Sequence, residues 1–475
     1  MEIKHFKKRF LEALNNDTAA IFAGAGLSSP CGYVNWCELL RDIADEIGLD
    51  VDKESDLIAV AQYYQNEKRN RGRINQEIIN KFTKNAEITE NHKILSRLPI
   101  ENYWTTNYDT IIEESLKINN KKIDVKITPE NLATNIPKRD VVIYKMHGDV
   151  AQPDKAIVTK DDYETYNNTN RKLFTIALQG DLVSKNFLFI GISFNDPNLN
   201  YILSRIKELL GENPREHYAF FKKVREEDYR SIEEYQYNCI RQELKLKDLK
   251  RYSINSILVD NYEQITKVLS DIEGLYNLNN IFISGSAETY GDWEQHEAIQ
   301  FMQDLAKELI SKDKRVVSGF GYGVGSYIIN GALSEIYKSK FKNINEYLDL
   351  KPFPQLNYQN NNQNNFKDEY RRNIISAVGI CIFLFGNKTK NNKIVDTDGV
   401  YKEFEIAKEK KLFIIPIGST GFMSKKIFNE VKNDIGQYTY LKKYLEILEK
   451  ERDKEKIITT IMKIIDEIHD SYINK

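Results

Sequence analysis

The chain contains two segments in which a short apolar run enters a turn of small residues and continues as a helix. In the first, residues 18–22 lead into residues 23–28, which read AGAGLS, and a helical pattern begins near Trp36. In the second, residues 281–283 lead into residues 284–287, which read SGSA, and a helix follows from about Asp292. Glycines in such a turn let the backbone approach phosphates, and the helix N-terminus offers N–H groups. Each turn alone is also compatible with an ordinary strand-to-helix connection.

Strand-like and helical segments alternate after both turns. In the second half they include a helical stripe over residues 298–310, a glycine-rich run at 319–325 and strand-like runs at 379–385 and 412–418. This alternation predicts an α/β fold with two Rossmann-like, doubly wound domains. We place the boundary between them at residues 271–280, interpret the Asn/Gln-rich residues 357–365 as a loop, and interpret residues 441–473 as charged helices for packing or oligomerisation.

Length and composition limit the class of protein. With 475 residues and a mass of 55.4 kDa, the chain is long enough for two or three domains. Lys and Arg number 68 against 70 for Asp and Glu, and this balance argues against a general nucleic-acid coat. The longest apolar runs, at 187–194 and 378–385, have about eight residues, whereas a bilayer span needs roughly 20. We therefore expect no nucleic acid and no membrane partner.

The cysteine positions indicate neither a metal site nor disulfide bonds. There are four, at positions 31, 37, 239 and 381, and none of them forms a C-x-x-C pair. This spacing excludes the usual zinc knuckle and any disulfide framework, so we expect no metal. The first 16 residues mix charged and apolar side chains without a continuous apolar segment, which is not typical of a secretory signal. The sequence thus predicts a cytoplasmic protein.

Polar residues follow several predicted strands of the first domain. They are Thr106–Asp109 after one strand, His147-Gly148 after another, and residues 191–197 after a third. Parallel α/β sheets bind their ligands at the carboxyl ends of the strands, so these clusters predict one site. A single histidine such as His147 is more often structural, and the hypothesis depends on the clusters occurring together.

Taken in order, residues 23–28, 106–109, 147–148 and 191–193 resemble the NAD-binding core of the sirtuins, over residues 1–275. The resemblance implies that Asn107 and Asp109 hold the nicotinamide ribose and an ordered water, and that His147 is a general base. It also implies a pyrophosphate and adenosine site formed by Ala23, Gly24, Ala25, Gly26, Ser28, Gly191 and Ser193. NAD is then the substrate, and the catalytic residues are Asn107, His147 and Asp109.

The chain departs from protein-deacylating sirtuins in two places. It lacks their four-cysteine zinc ribbon, and residues 31–36 read CGYVNW where those enzymes have Phe-Arg. Without an acyl-lysine groove, water is the default acceptor, and the predicted reaction is hydrolysis of NAD to nicotinamide and ADP-ribose. A sirtuin-type deacylase or ADP-ribosyltransferase and a non-catalytic nucleotide sensor stay open as alternatives.

Residues 280–475 resemble the SLOG/LOG-like Rossmann family. The matching pieces are residues 284–287, the glycine run at 319–325 and residues 399–405, which read GVYKEFE. Catalytic members have a proline and several glycines before the glutamate, and residues 393–399 lack that glycine run. Binding a nucleotide is therefore predicted rather than cleaving one, and Arg371 and Lys388 are the expected phosphate partners.

A sirtuin-like domain followed by a SLOG domain resembles the effector family of the bacterial Thoeris antiphage system. That resemblance implies a TIR-domain partner enzyme that makes a cyclic ADP-ribose isomer, which the SLOG domain binds so that the sirtuin-like domain destroys NAD. The residues that match the family's signal-binding positions are Gly285, Ser286, Arg371, Lys388, Gly399 and Glu403. The resemblance also implies a homotetramer or larger homo-oligomer.

Overall fold

The computed structural model describes residues 1–168, 171–211, 215–353 and 363–473. The chain divides into two units, Met1–Glu273 and Gly274–Lys475. The division falls inside one helix, Tyr262–Asn277. Gly274 lies in this helix, and a Cβ there would come within 2.5 Å of Cε1 of Tyr472, so a larger residue would clash with that ring. The assignment of separate functions to residues 1–275 and 280–475 stays a prediction.

The strands of the first unit are β1 (Ala19–Ala23), β2 (Asn102–Thr105), β3 (Ile123–Lys126), β4 (Val141–Lys145), β5 (Asn186–Ile190), β6 (His217–Lys222) and β7 (Ile254–Val259). Within the described residues they form one sheet in the order β3-β4-β2-β1-β5-β6-β7, and all neighbours are parallel. β1 lies between β2 and β5. Strands are therefore added first on one side of β1 and then on the other, and a crevice forms at the carboxyl ends of β1 and β5 where this order reverses.

The helices of the first unit are α1 (Ile3–Asn15), α2 (Ala25–Ser28), α3 (Trp36–Asp45), α4 (Leu57–Lys68), α5 (Gly72–Phe82), α6 (Glu90–Arg97), α7 (Ile111–Ile118), α8 (Pro129–Leu132), α9 (Lys160–Thr165), α10 (Lys172–Ser184), α11 (Pro197–Leu210), α12 (Ile232–Lys250) and α13 (Tyr262–Asn277). The sequence prediction that a helix begins near Trp36 is confirmed. Asn35 and Glu38 form a reciprocal capping box with two 3.0 Å hydrogen bonds, which satisfies N–H groups at the start of α3.

The sheet core of the first unit is apolar and aromatic. Every side chain of β1 is buried, as expected for a strand covered on both faces of a parallel sheet. Trp104 of β2 stacks on Tyr144 of β4 with ring centroids 4.1 Å apart, and its Nε1–H donates to Asp181 at 2.8 Å. These contacts fix the strands whose ends carry the polar clusters.

The strands of the second unit are β8 (Asn280–Ser286), β9 (Arg315–Ser318), β10 (Leu348–Leu350), β11 (Ile380–Phe385), β12 (Asn387–Lys390), β13 (Lys393–Asp396) and β14 (Phe413–Pro416). In the described part, five of them form a parallel sheet in the order β10-β9-β8-β11-β14, and β12 and β13 form a separate antiparallel hairpin. The order in which successive strands are added to this sheet reverses at β8, so the carboxyl ends of β8 and β11 form the corresponding crevice. The predicted α/β fold with two parallel sheets is confirmed.

The helices of the second unit are α14 (Gln295–Ser311), α15 (Gly325–Ile336), α16 (Ile344–Tyr347), α17 (Gln363–Ile375), α18 (Asp398–Glu409), α19 (Phe422–Asn433), α20 (Leu445–Lys450) and α21 (Lys454–Ile473). The predicted stripe on α14 is confirmed, because its seven side chains are all buried: Ala298, Phe301, Met302, Leu305, Ala306, Leu309 and Ile310. Residues 357–362 of the predicted Asn/Gln-rich loop lie outside the described residues. Residues 363–365 belong to α17, so the loop prediction is wrong for them.

None of the helices in the described ranges has an apolar stretch long enough to cross a lipid bilayer.

Candidate functional site

The first crevice is formed by close contact between two glycine-containing loops. Gly24 N–H donates to Ile190 O at 3.0 Å, and Gly26 N–H donates to Gly191 O at 2.8 Å. Gly191 has φ +68, and a Cβ there would lie 2.1 Å from Leu27 N. The glycines are therefore required for the approach of the β1 and β5 loops, and the Gly24 and Gly26 N–H groups are directed at protein carbonyls.

Asn107 connects the loop after β2 to the loop after β1. Its Nδ2 donates to Gly24 O at 3.1 Å and to Ser28 Oγ at 3.0 Å, and its own N–H donates to Thr105 Oγ1 at 3.0 Å. Asn107 and Ser28 are both buried. The structure thus brings together three of the residues that the sequence predicted for the NAD site.

Asp109 lies in the same loop above a buried cation. Lys145 is fully buried, and its Nζ donates to the Asp109 carbonyl at 2.5 Å, pairs with Asp149 and lies 3.1 Å from Glu113 Oε1. Burial would lower the pKa of Lys145, but Glu113 and Asp149 outweigh it and the pKa is raised. Burial raises the pKa of Asp109, against the Lys145 charge and the Ser28 hydroxyl. Asp109 Oδ2 has no hydrogen-bond partner among the described residues.

His147 follows β4 at the same edge of the sheet. Thr105 is paired with Lys145, and Asn107 and His147 each come two residues after these partners. The His147 ring is buried, and burial lowers its pKa below 6.5; Asp196 opposes this shift and Arg171 adds to it. The imidazole is therefore neutral at pH 7. Neither ring nitrogen has a hydrogen-bond partner in the described part of the chain.

The structure places three further predicted residues of this site without showing a side-chain contact between them and Asn107, Asp109 or His147. Ala23 is buried in β1, Ala25 is the first residue of α2, and Ser193 is exposed with its carbonyl accepting from Lys245 Nζ at 2.8 Å. Their assignment to NAD stays a prediction. A neutral buried imidazole, a side-chain amide and a carboxylate at one sheet edge are groups suited to general acid–base chemistry. Within the described residues, no group of three His, Cys, Asp or Glu side chains is arranged to hold a metal.

The second crevice contains a buried carboxylate. Ser284 Oγ donates to Glu403 Oε2 at 2.6 Å, and Arg371 Nε lies 3.8 Å from Glu403 Oε1. Burial raises the pKa of Glu403, against the Ser284 hydrogen bond and the Arg371 charge. The Arg371 guanidinium also lies over the Phe353 ring, 4.6 Å from its centroid. Arg371 is thus held in place beside the carboxylate, and its planar fork suits an anionic ligand.

Of the other predicted signal-binding residues, Gly399 lies next to Arg371, and the rest have other contacts. A Cβ at Gly399 would lie 3.2 Å from Arg371 Nη2, so glycine leaves room for the guanidinium. Ser286 Oγ donates to Asn387 O at 3.0 Å and contacts Thr397 Oγ1 at 2.8 Å. Lys388 is more exposed and donates to Asp398 at 2.9 Å. Gly285 packs against Leu384 O of β11, where a Cβ would lie 2.5 Å away.

A pocket of about 480 Å³ lies at the carboxyl ends of β8 and β9. Its walls are aromatic side chains and the glycine run, and they include Tyr290, Trp293, Phe320, Tyr322 and Tyr327. The glycine run also contacts the predicted site, because a Cβ at Gly321 would overlap Gly285 O.

Sequence reasoning missed several residues that the site contains. Lys145, Glu113 and Asp149 were not singled out, although a lysine in a buried strand with an acidic residue four positions later was visible in the sequence. Ser284 and Asp196 stood inside quoted motifs without an assigned role. Asp196 could have been found from the Asp-Pro pair, because aspartate followed by proline is a typical helix start.

Comparison with protein families gives two matches in the same order as the units. Residues 101–241 match the SIR2-like domain, and residues 264–468 match the Sir2- and TIR-associating SLOG family. The resemblance of the first domain to sirtuins and that of the second domain to the SLOG family are thus confirmed as domain assignments.

Curated relatives match along nearly the whole chain. The chain is similar to "NAD(+) hydrolase ThsA" of Cytobacillus dafuensis, at 46% identity over 471 residues, covering 96% of this chain and 95% of that protein. The protein of the same name from Bacillus cereus (strain MSX-D12) is 45% identical, with 98% of both chains covered. That from Acinetobacter baumannii (strain 532279) is 43% identical, with 97% of both covered. With such similarity over the full length, the chain belongs to the ThsA family of NAD(+) hydrolases.

Proposed function

We propose that the first unit cleaves the nicotinamide–ribose bond of NAD with water, and that a cyclic ADP-ribose isomer bound by the second unit activates this reaction. The observation that supports the first part most directly is His147. It is neutral and buried, its ring nitrogens have no hydrogen-bond partner among the described residues, and it follows the strand beside Asn107 and Asp109. A general base needs a free lone pair at neutral pH.

The reaction uses these residues as follows. As the C1′–N bond to nicotinamide breaks, its electron pair returns to the pyridine ring, which leaves as neutral nicotinamide, and the ribose gains positive charge. Asn107 and Asp109 orient the ribose and a water molecule. The water oxygen bonds to C1′ and gives one proton to His147, so the second product is ADP-ribose.

Water is the proposed acceptor because the chain lacks features of a protein-modifying sirtuin. Its four cysteines have no zinc-ribbon spacing, and Cys31 and Cys381 are buried. The membership in a family of NAD(+) hydrolases supports the same reaction.

The proposed signal site is the second crevice. Arg371 and Lys388 would hold the phosphates of an anionic cyclic nucleotide, and Gly285, Ser286, Gly399 and Glu403 would form the rest of the site. The described geometry supports this assignment because Gly399 leaves space for Arg371 and Phe353 holds its guanidinium. Charge-assisted hydrogen bonds contribute about 1.5–3 kcal/mol each.

Activation follows from a difference in affinity. An enzyme that depletes NAD has to be inactive in a healthy cell, so the resting state is inactive and the signal binds the active state more tightly. A shift from 1:99 to 99:1 needs about 5.5 kcal/mol of differential binding. Two or three charge-assisted hydrogen bonds to phosphate together contribute a free energy of about this size.

The role of this chain is then antiphage defence in the bacterial cytoplasm. A TIR-domain enzyme that makes the signal is the proposed functional partner, and the match to the Sir2- and TIR-associating SLOG family supports it. We also propose a homotetramer or larger homo-oligomer, with no nucleic-acid or membrane partner and no metal.

The test is nicotinamide release by the purified full chain incubated with NAD, alone and with cyclic ADP-ribose or its linkage isomers. We expect low release alone and a large increase with one isomer. Release that requires an acyl-lysine peptide would favour a deacylase, and release that no isomer stimulates would remove the activation step. Binding of an isomer with no turnover under any condition would favour a sensor.

A further inference from the structure

The segment after β5 places a carboxylate beside the buried histidine. His147 Nε2 lies 3.3 Å from Asp196 Oδ2, and Asp196 is partly buried. The separation is within hydrogen-bond reach, but the contact is not aligned as a hydrogen bond. Catalytic hydrogen bonds in ligand-free structures are often poorly aligned and tighten when substrate binds.

Asp196 itself is held from two sides. Its Oδ1 accepts from Leu199 N–H at 2.9 Å as the N-cap of α11, and its Oδ2 accepts from Tyr163 Oη at 3.3 Å. The Tyr163 ring also meets the His147 ring edge-on, with centroids 5.5 Å apart. A carboxylate anchored in this way can define the orientation of an imidazole, because its own position is fixed.

We propose that Asp196 is the positioning residue of His147, accepting the Nε2–H proton so that Nδ1 is the atom that takes the proton from the attacking water. This inference rests on the proposed function and adds to it the tautomer and the orientation of the base. Asp196 touches neither water nor ribose in this scheme. It stabilises the imidazolium that forms when His147 accepts the proton.

The charges around His147 determine the sign of the expected effect. The groups that face the ring are Asp196 at the start of α11, Arg171 before α10, Tyr163 of α9 and Tyr166, whose ring centroid lies 6.4 Å away. Asp196 is the negative charge that favours protonated His147, and Arg171 opposes it. Removing the Asp196 charge therefore lowers the pKa of His147, and the acid limb of the pH–rate profile moves to lower pH.

The experiment measures nicotinamide release by full-length Asp196→Asn and Asp196→Glu across pH, with the activating isomer present. Asp181→Asn is the matched control, because Asp181 is also a hydrogen-bonded carboxylate of the first unit but accepts from Trp104 Nε1 and Asn102 Nδ2. For Asp196→Asn we expect kcat to fall about 10²-fold with KM little changed and the acid limb shifted down. Asp196→Glu should recover part of kcat, and Asp181→Asn should keep the parental limb.

Two further measurements separate a positioning role from a structural one. In a His147→Ala background, Asp196→Asn should cause no additional loss, since the two residues act as one unit. Imidazole ¹⁵N NMR of the full chain should show the proton of His147 on Nε2, and Asp196→Asn should change that tautomer. The proposal would be overturned by an acid limb that Asp196→Asn leaves at the parental pH, or by losses of activity that add in the double variant. A proton on Nδ1 of His147 in the parent would also overturn it. If the parent releases no nicotinamide, the proposed function fails, while the NMR result still decides the His147–Asp196 pairing.

Discussion

Asn107 Nδ2 donates a 3.0 Å hydrogen bond to Ser28 Oγ, which joins residues 79 positions apart in the chain. The same amide reaches Gly24 O at 3.1 Å, so one side chain holds the loop after β1 against the loop after β2. Because these loops follow neighbouring parallel strands, the contact holds them together at the carboxyl edge of the sheet. The amide nitrogen of Asn107 thus donates to protein acceptors on both sides.

Replacing Asn107 or His147 by alanine should abolish most NAD cleavage while the protein stays folded. Loss of a general base or of a positioned polar partner typically costs about 10²–10⁴ in rate. The measurement is nicotinamide release, with oligomer size and thermal unfolding checked in parallel. Asn119→Ala is the matched control, since the Asn119 amide donates to Ser96 Oγ at 2.6 Å elsewhere in the same unit. Turnover near the parental rate would remove the substituted residue from the mechanism.

Activity should fall in acid because His147 must be neutral to accept a proton. Burial lowers the pKa of His147, so the base form predominates at pH 7 and is lost as the pH falls through that lowered pKa. We expect kcat/KM to be flat near pH 7 and to decline only at pH values below the usual range of a free histidine. A limb with its midpoint above pH 7 would show that His147 is not the base or is not buried during the reaction.

The signal should depend on two cations of the second crevice. Arg371→Ala and Lys388→Glu should each weaken binding of the activating isomer about 10–100-fold, which corresponds to about 1.5–3 kcal/mol per charge-assisted bond. Calorimetry measures binding, and nicotinamide release against isomer concentration measures activation. Arg372→Ala is the control, because Arg372 forms a bidentate pair with Glu409 at 2.7 Å instead. Parental binding and response in both variants would refute the proposed signal site.

Lys145→Met should destabilise the first unit strongly. The substitution leaves Glu113 and Asp149 buried without their cation, and breaking a buried ion pair on one side costs about 3–5 kcal/mol. Thermal unfolding of the full chain should show a clear decrease in the transition temperature. Lys247→Met provides the comparison, since Lys247 pairs with Glu243 in solvent and exposed pairs contribute about 0–1 kcal/mol. Equal effects of both substitutions would contradict the buried-cation interpretation.

Elemental analysis should find no stoichiometric zinc. A structural zinc site needs four ligands in tetrahedral arrangement, and the four cysteines of this chain offer no pair with the usual spacing. Zinc at one atom per chain would contradict the prediction and would reopen the comparison with protein-deacylating sirtuins.

The sequence alone was sufficient for the α/β architecture, and it singled out Gly24, Ser28 and Asn107, which the structure brings together at one sheet edge. Strand-like segments that alternate with helical ones are typical of doubly wound α/β domains, and polar residues after several strands point to one sheet edge. A strand in which apolar residues alternate with charged ones, such as β3, was not predicted from the sequence. β3 contains Asp124 and Lys126, which are buried and pair with each other, and Asp124 also pairs with Arg139.

What the sequence determined, then, is which residue types stand at which strand ends, because strand, turn and helix signals are local. Only the tertiary structure decided how those residues interact. The contacts of Lys145 with Glu113, of His147 with Asp196 and of Ser284 with Glu403 join segments that local patterns cannot relate. Burial is likewise a property of the packed molecule, and it is burial that keeps His147 neutral and raises the pKa of Asp109 and Glu403.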